Sequence, residues 1–467
     1  MPTFSWPARF PQGITWLDYP GRYPGPRYGV EAERILGLES QNNIILAVTT
    51  TGNDNDATRP ARIVQGDWSA KPFLTIQAAI QALPFRLWYG AASNTIATIN
   101  VGPGTFFGFY VEGLVSSLGL RIKGTRQTSV PATGPSSGTA TGGGVRTLTD
   151  ATANWTPDDL VGRYLTITSG QGAGQILVIA ANDATNIHFA DPCSPTPAAG
   201  SAYLIEDLAT VINGPTYRMA VDLGAPFGVY CLRNMGVVEL DDLFIPANGG
   251  VAYYGTGNVK TVIRRCASYY YGFYEQDSLA ISWSQLDAQG VTGIGLYNVL
   301  DVFNANRGWL VRNGSIGVDI QNCAGSVLYG LYARNCSYDA LRMLACGMGG
   351  LTFYNFRAES CAHAVEAQTS VAGFKSSIIN NCTVGPFNLF MARLYFEQQL
   401  SGTGNAGWGL YAKGSGNLIE ITGFTPTIAA ASGQVTVDGV NDVTWANLTN
   451  PGDAAVDAAT GARVNRQ

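Results

Sequence analysis

The sequence predicts an all-β chain, most of which folds as a parallel β-helix. Two observations lead to this prediction: a composition rich in glycine and poor in charge, and a repeat of 22 to 24 residues in the C-terminal half. Glycine contributes 57 of the 467 residues, and charged residues make up 13% where about 25% is usual. Because 46% of the residues are hydrophobic, the chain can form a core and is predicted to be folded.

The repeat is found by aligning the chain on a small residue that is followed by an apolar one. A step of this length has no room for a long helix, but it accommodates three short strands and three turns. That is one coil of a parallel β-helix, in which each residue stacks on its counterpart in the next coil. The predicted anchors of the repeat are Gly228, Gly250, Gly272, Gly295, Gly317, Ala340, Ala364, Pro386 and Gly409.

Five of the eight cysteines recur at two positions of this repeat. Cys323 and Cys346 share one position, and Cys336, Cys361 and Cys382 share the other. A metal site would need clustered ligands, and the chain has two histidines, His188 and His363, both interpreted as structural. The spacing favours cysteines that fill a narrow core, with a disulfide as the alternative.

One helix is predicted before the repeat. The segment "PFLTIQAAIQAL" places apolar residues at helical spacing. A threonine precedes them as N-cap and a proline ends the helix. The residues concerned are Thr75, Ile76, Ala79, Ile80, Leu83 and Pro84.

Several segments carry a family resemblance. "GDWSAKPFLTIQAAIQALP", "INVGPGTFFGFYVEGL" and "LRIKGT" resemble the N-terminal cap and first coils of pectate-lyase-like right-handed β-helix proteins. The combination of "PFLTIQAAI" with "GPGT" resembles bacteriophage tailspikes, tail fibres and related virion proteins, and "GQVTVDGVNDVTWANLTNPGDAAVDAATGARVNR" is similar to segments that end such proteins. The resemblance covers residues 64–467. It implies a right-handed, single-stranded β-helix with an N-terminal cap helix.

The resemblance also suggests how the chain is divided. The segment "GTATGGGVRTLTDATANWTPDDLVGRYLTITSGQGAGQILVIAANDATNIHFADP" is similar to a small β domain inserted into such phage proteins. The N-terminal segment is rich in Pro, Tyr, Trp and Arg, which suits an extended arm on a partner's surface. A cap folded back on its own β-helix is the alternative. We expect a docking arm at 1–63, the cap helix and first coils at 64–132, an inserted small β domain at 133–207, the regular coils at 208–424, and a C-terminal β segment and tail at 425–467.

Catalytic residues were sought among the acidic side chains of the coils. Hydrolysis of a glycosidic bond uses two carboxyl groups about 5–9.5 Å apart. Glu275 and Asp277 are two residues apart, so on a strand they would share a face beside several tyrosines. They are the catalytic candidates, and the alternative is that this aromatic surface is a contact between subunits.

Two columns of charged residues are predicted from the repeat. Asp319, Arg342 and Glu366 each lie two residues past an anchor. We interpret this charged column as structural, with the guanidinium holding both carboxylates ionised. A second set, the arginine column, is expected to meet counter-charges and consists of Arg312, Arg334 and Arg357.

Composition limits the partners. The net charge of −5 and the pI near 5.2 argue against nucleic acid. No apolar run reaches the ~18 residues of a membrane span, and the first residues do not read as a signal peptide. No cofactor or metal is expected.

The resemblance implies a structural or adhesion component of a phage virion. Such a protein would be a homotrimer made in the host cytoplasm, joined to other virion proteins through residues 1–63, and able to bind bacterial surface polysaccharide. The alternative is a depolymerase, a glycosidase or lyase acting on that glycan. The small number of acidic residues on the coils favours the non-enzymatic function.

Overall fold

The structure is a computed structural model. It describes residues 44–60, 63, 65–83, 86–87, 96–116, 119–213, 227–246, 250–269, 271–303, 308–324, 326–346 and 350–405. Beyond these it describes the backbone of the strands at 408–413, 418–422, 427–430, 433–437, 442–445, 454–456 and 463–466.

The described chain forms a right-handed parallel β-solenoid of about 14 turns. This confirms the fold class predicted from the repeat. Each regular coil contributes three strands, and each strand pairs in parallel with its counterpart in the next coil. The strands therefore stack into three ladders, named first, second and third in chain order within a coil.

The bounds of the strands follow the ladders. The first ladder contains Ile44–Val48, Ala97–Val101, Leu120–Lys123, Val237–Asp241, Lys260–Arg264, Ala280–Ser284, Asp301–Phe303, Ser326–Tyr329, Leu351–Tyr354, Val371–Asn380, Arg393–Asn405, Leu418–Thr422, Asp442–Trp445 and Arg463–Arg466. The second contains Gly104–Phe106, Thr210–Ile212, Phe244–Ile245, Ala267–Ser268, Leu286–Gln289, Trp309–Arg312, Leu331–Arg334, Arg357–Glu359 and Thr427–Ala430. The third contains Phe109–Glu112, Phe227–Leu232, Val251–Thr256, Tyr271–Gln276, Thr292–Tyr297, Ile316–Gln321, Asp339–Leu344, His363–Gln368, Phe387–Phe390, Trp408–Lys413, Gly433–Val437 and Ala454–Val456.

Two long strands join the first and second ladders. Val371–Asn380 and Arg393–Asn405 each pair with first-ladder strands along one half and with second-ladder strands along the other. The two ladders therefore form one continuous sheet, while the third ladder is a separate sheet of twelve strands. Gly66–Asp67 pairs with Ile44–Val48, and Arg86–Leu87 pairs with Val115–Ser116.

A column of small residues runs along the third ladder. The register places Ala252 and Gly293 in this column, and the predicted anchors Gly250 and Gly295 were each wrong by two residues. Small side chains are needed because the backbones approach closely. A Cβ atom on Gly272 would lie 1.6 Å from the carbonyl oxygen of Gly293.

The turns explain why asparagine precedes cysteine. Asn322 and Asn335 adopt left-handed backbone conformations, with φ of 51° and 56°, which asparagine tolerates better than most residues. Each turn directs the following cysteine inward, and all eight cysteines are buried and form no disulfide in the structure. The core-filling interpretation is therefore confirmed.

The helix, α1, spans Ile76–Ala82 as the sequence predicts. The hydroxyl of Thr75 accepts a hydrogen bond from the Ala78 amide, and Ile76 and Ala79 are buried in the main core. Within the described part of the chain, no helix has the length and apolar content needed to cross a bilayer.

The first strand departs from the predicted arm. Ile44–Val48 lies within residues 1–63, yet it pairs with Ala97–Val101 and buries alternate side chains in the main core. Expectations for residues 1–43 fall outside the described part.

Eight antiparallel strands lie between the first-ladder strand Leu120–Lys123 and the second-ladder strand Thr210–Ile212. They have a core of their own, which includes Trp155, Leu165 and Phe189. Their bounds are Arg126–Thr128, Ser137–Thr139, Gly142–Gly144, Thr147–Thr149, Tyr164–Ser169, Ile176–Asn182, Asn186–Phe189 and Ala202–Leu208.

This antiparallel sheet packs against the second ladder. Tyr164, Val178 and Ala180 share a buried cluster with Leu310 and Tyr332 of the coils. The Tyr164 hydroxyl donates a hydrogen bond to the Gln285 carbonyl at 3.2 Å. The contact covers the second ladder around Gln285, Leu310 and Tyr332, and the third ladder forms a separate sheet.

Candidate functional site

The outward face of the third ladder, from Phe227–Leu232 to Phe387–Phe390, is called the flank below. Side chains alternate between the two faces of a strand, so each strand presents two or three outward residues. One outward column changes along the flank from tyrosine to charged and amide side chains. In order it contains Tyr230, Tyr254, Tyr274, Gly295, Asp319, Arg342, Glu366 and Asn388.

One half of the flank is aromatic. Tyr230 and Tyr254 stack with ring centroids 6.0 Å apart, and Tyr274 stacks on Tyr297 at 6.3 Å. All four side chains are half-buried, so part of each ring faces solvent. The Tyr254 hydroxyl donates to Gln276 Oε1 at 2.9 Å, which fixes the ring.

The other half of the flank is charged. Arg342 binds Asp319 through two hydrogen bonds, Nε to Oδ1 at 3.1 Å and Nη2 to Oδ2 at 2.6 Å. The buried Asp319 also accepts from the Tyr297 hydroxyl at 3.1 Å and from Gln321 Nε2 at 3.0 Å. This carboxylate is fully engaged by its neighbours.

Glu366 is in register with Arg342, as the charged column predicts. Its interactions differ from the prediction, because the ion pair of Arg342 among the described residues is with Asp319. Burial, and then the charge of Asp339, raise the pKa of Glu366 above its usual value. The charge of Arg342 does lower this pKa, but burial and Asp339 outweigh it, so the expectation of a depressed pKa for Glu366 was wrong.

Asp339 and His363 were missed as site residues by the sequence analysis. They are paired in register, with His363 Nδ1 3.0 Å from Asp339 Oδ1. One ligand atom from each of Asp339, His363 and Glu366 lies within 4.8 Å of the others. A signal was present in the sequence, because Asp339 and His363 directly precede the correctly placed anchors Ala340 and Ala364.

A groove of about 350 Å³ adjoins this cluster. Glu366 lines it together with Gln368, Asn388, Leu389 and Phe390. Gln368 Nε2 donates to Glu366 Oε1 at 3.0 Å, and the Phe390 side chain is exposed. The groove thus combines hydrogen-bonding groups with an apolar wall.

The structure separates the catalytic candidates Glu275 and Asp277. Glu275 points into the core and is fully buried, while Asp277 lies in the following turn at φ 51° and is exposed. The strand ends at Gln276, so the alternation that predicted a shared face does not continue to Asp277. This pair is not positioned to act together on a substrate.

Glu275 is held by four neutral donors. Asn258 Nδ2 and the Ser278 hydroxyl bind Oε1 at 2.9 and 2.5 Å. The hydroxyls of Tyr253 and Thr261 bind Oε2 at 2.8 and 3.0 Å. Burial raises the pKa of Glu275, and these hydrogen bonds oppose the rise.

The arginine column is only partly formed. Arg312 and Arg334 are in register, but Arg357 lies opposite Tyr332, and Glu359 takes the predicted place beside Arg334. The fixed offset used for the prediction fails because consecutive steps differ in length. The guanidinium of Arg357 lies over the Tyr332 ring, 4.5 Å from its centroid.

The two aligned arginines join the coils to the antiparallel sheet. Arg312 binds Asp287 at 2.8 and 2.7 Å and donates to the Val161 carbonyl. Arg334 donates to the Ala180 carbonyl at 2.9 Å and pairs with Asp158 at 3.3 Å. Their role in the structure is to fix this contact.

Comparison with known proteins gives matches among solved structures alone. No family model and no curated protein matches the chain. The tailspike of Acinetobacter baumannii bacteriophage AP22, in complex with capsular saccharide, is 10% identical; the match covers 79% of this chain and 74% of that one, with a TM-score of 0.21. A tailspike of Pseudomonas phage LKA1 is 11% identical over 77% of this chain and 67% of that one, with a TM-score of 0.20.

A glycoside hydrolase is also similar. The catalytic domain of a family 87 α-1,3-glucanase, in complex with nigerose, is 12% identical over 73% of this chain and 95% of that one, with a TM-score of 0.30. Phage tailspikes are thus among the proteins that the chain is similar to, in agreement with the resemblance found in the sequence. At these identities and scores, the likenesses carry no argument about binding or activity.

Proposed function

We propose that the chain is a structural adhesion component of a phage virion and that its flank binds bacterial surface polysaccharide. The observation that carries the proposal is the column of half-buried tyrosines, Tyr230, Tyr254 and Tyr274, that continues into hydrogen-bonding side chains. A tyrosine ring offers an apolar face with a polar end. A sugar ring, which has an apolar face and hydroxyl groups at its edge, is complementary to that surface.

The strand ladder favours binding because it holds these side chains in place before a ligand arrives. The third ladder is hydrogen-bonded along its length, and ring stacking and the Tyr254–Gln276 contact restrict the tyrosines further. A preorganised surface loses little conformational entropy on binding. Repeating side chains on successive coils suit a repeating polymer.

Titration of purified host surface oligosaccharide against Tyr254→Ala tests the proposal. Loss of one stacking ring is worth about 0.5–1.5 kcal/mol, so we expect affinity to fall up to about tenfold. Tyr354→Ala is the matched control, because Tyr354 is also half-buried and stacked, on Tyr329 at 4.6 Å, but lies in the first ladder. Equal affinity of Tyr254→Ala and the wild type, or equal loss in both variants, would contradict the proposal.

Polysaccharide cleavage is the second candidate function. The observation that favours it is a carboxyl pair beside the groove, since oxygens of Asp339 and Glu366 lie within 4.8 Å. Glycosidases act through two such groups. Adhesion is preferred because Asp339 is 3% exposed and bonded to His363, which limits its access to a sugar.

An assay for new reducing ends separates the two functions. On the adhesion proposal, incubation with host polysaccharide releases none above background. Release by the wild type that disappears in Glu366→Gln would establish the depolymerase and replace that proposal.

We further propose a homotrimer packed along the β-helix and joined to other virion proteins by the N-terminal arm. The proposal is supported by exposed apolar side chains on three of four consecutive turns between the third and first ladders, where Met235, Leu279 and Leu300 are 65%, 53% and 58% exposed. Soluble monomers rarely leave such surfaces uncovered. Light scattering should give three times the chain mass, and a monomer at micromolar concentration would refute the trimer.

The arm is tested by deletion of residues 1–43, because Ile44–Val48 belongs to the coils. The truncated chain should fold and assemble yet fail to join the virion. Unfolding of the truncated chain would instead show that the segment caps its own β-helix.

A further inference from the structure

We propose that Asp339, His363 and Glu366 form a binding site for a divalent transition-metal ion on the flank. The three residues come from two consecutive strands of the third ladder, Asp339–Leu344 and His363–Gln368. One ligand atom of each lies within 4.8 Å of the others. The absence of clustered cysteines and the presence of only two histidines predicted no metal site. Coil-length stretches separate Asp339 from the other two ligands, and the register brings them together.

The geometry is close to that of a coordination sphere. Zinc–ligand distances of about 2.0–2.2 Å place neighbouring tetrahedral ligands about 3.4 Å apart. His363 Nδ1 and Asp339 Oδ1 are already 3.0 Å apart, so an ion can replace the proton that they share. Glu366 is half-buried and accepts hydrogen bonds from two side-chain amides, at 3.0 Å from Gln368 and 3.4 Å from Asn388. Its ligand oxygen lies within 4.8 Å of the other two ligand atoms, so the carboxyl group must move toward them to reach the spacing of zinc ligands.

The charges around the cluster favour a dication. The guanidinium of Arg342 is bound by both oxygens of Asp319, and its charge also acts on Asp339 and Glu366, so one guanidinium faces three carboxyl groups. Asp339 and Glu366 remain as two carboxyl groups beside one imidazole. The charge of Asp339 contributes to the raised pKa of Glu366, and this mutual repulsion is what a bound dication would remove.

The ligand types indicate which ions bind. Calcium and magnesium prefer sites made of oxygen ligands, whereas imidazole suits zinc and the neighbouring transition metals. Three protein ligands leave at least one coordination position open. Because Glu366 also lines the groove, that position is available to water or to a ligand hydroxyl.

The second histidine provides a matched comparison. His188 lies 4.0 Å from Asp183, and both side chains are more exposed, at 42% and 53%. Among the described residues, His188 belongs to no cluster of three possible ligands. A substitution of His188 therefore measures how much zinc a surface His–Asp pair binds without a third ligand.

Calorimetric titration of the metal-free full chain with zinc chloride tests the proposal, with calcium and magnesium chlorides as counter-probes. We expect one zinc ion per chain and much weaker binding of calcium and magnesium. His363→Ala and Glu366→Gln should each weaken zinc binding more than about 100-fold, since loss of a residue that only hydrogen-bonds to a metal ligand already costs about 10–100-fold. His188→Ala should bind zinc as the wild type does.

Spectra of the cobalt-loaded chain give a second readout, because ligand-field bands from an imidazole and carboxylate site should disappear in His363→Ala. Thermal melting of each variant without metal shows whether it is folded. If His363→Ala does not fold, Glu366→Gln still tests the site. Absence of stoichiometric zinc binding would overturn the proposal. So would binding that survives in folded His363→Ala and Glu366→Gln, or binding that is lost in His188→Ala.

Discussion

Two glutamates on the third ladder have raised pKa values, yet they belong to different kinds of site. Glu275 lies in the interior, fully buried and bound by four neutral donors. Glu366 lies on the flank, half-buried, beside a groove and near Asp339 and His363. Burial is the leading cause of the raised pKa in both. A raised pKa therefore indicates that a carboxyl group is buried. Whether that group can bind a ligand depends on its exposure to solvent and on the charges of its neighbours.

The interior site is built as a closed network. Thr261 donates to Glu275 and accepts from Trp283 Nε1 at 3.1 Å. Gly255, in register beside Glu275, leaves space for the carboxyl group, because a Cβ atom there would lie 2.2 Å from Oε2. Every partner is itself in the core, so the network fixes the packing of these coils.

The largest expected effect comes from Glu275→Ala. The substitution removes the acceptor of four buried donors and leaves a cavity, so we expect a loss of about 3–5 kcal/mol in the free energy of unfolding. Glu366→Ala removes a half-buried group and should cost at most about 1 kcal/mol. Denaturant titration measures both, and equal costs would remove the distinction between the two sites.

Gly255→Ala tests the space around the interior carboxyl group. The added methyl group would collide with Glu275 Oε2 and the Tyr253 hydroxyl, and we expect a cost of about 1–3 kcal/mol. Gly373→Ala is the control, since its Cβ atom would meet its nearest neighbour at an ordinary 3.8 Å. If Gly255→Ala unfolds at the same temperature as Gly373→Ala, the carboxyl group of Glu275 is not as confined as described.

Arg342→Ala measures how much the flank depends on its ion pair. Asp319 keeps its bonds to Tyr297 and Gln321 when the guanidinium is removed, so we expect a cost of about 1–2 kcal/mol, below that of Glu275→Ala. A partly exposed ion pair, as the repeat alone would suggest here, contributes about 0–1 kcal/mol. Burial of Asp319 is the reason for the higher value.

The smallest expected effect is a pH dependence. Because folding raises the pKa of Glu275 above its ordinary 4.5, its contribution to stability is complete below that pH and is lost as pH rises through the folded-state pKa. Glu275→Gln cannot ionise, so its stability relative to the wild type should increase as pH rises above 4.5. Unfolding curves at several pH values measure this difference, and a constant difference would contradict the assignment.

The fold could be predicted because repeat length, small-residue anchors and turn residues all act locally. The N-cap Thr75 and the helix that follows it needed no knowledge of distant contacts. The boundaries of the inserted β domain and of the arm remain predictions.

The site was harder to predict because it depends on register. Steps between coils vary, so Arg357 fell beside Tyr332 and not beside Arg334. Asp277 was misplaced because the end of the strand, after Gln276, is not marked by residue type. Asp339 and His363 become neighbours only once Ala340 and Ala364 are aligned.

The most direct test of the central claim is a crystal structure of the full chain with a bound host surface oligosaccharide. The account predicts sugar rings against Tyr254 and Tyr274 on the flank, extending toward the groove at Glu366. An oligosaccharide bound on the first or second ladder, or on the antiparallel sheet, with the flank empty would contradict it.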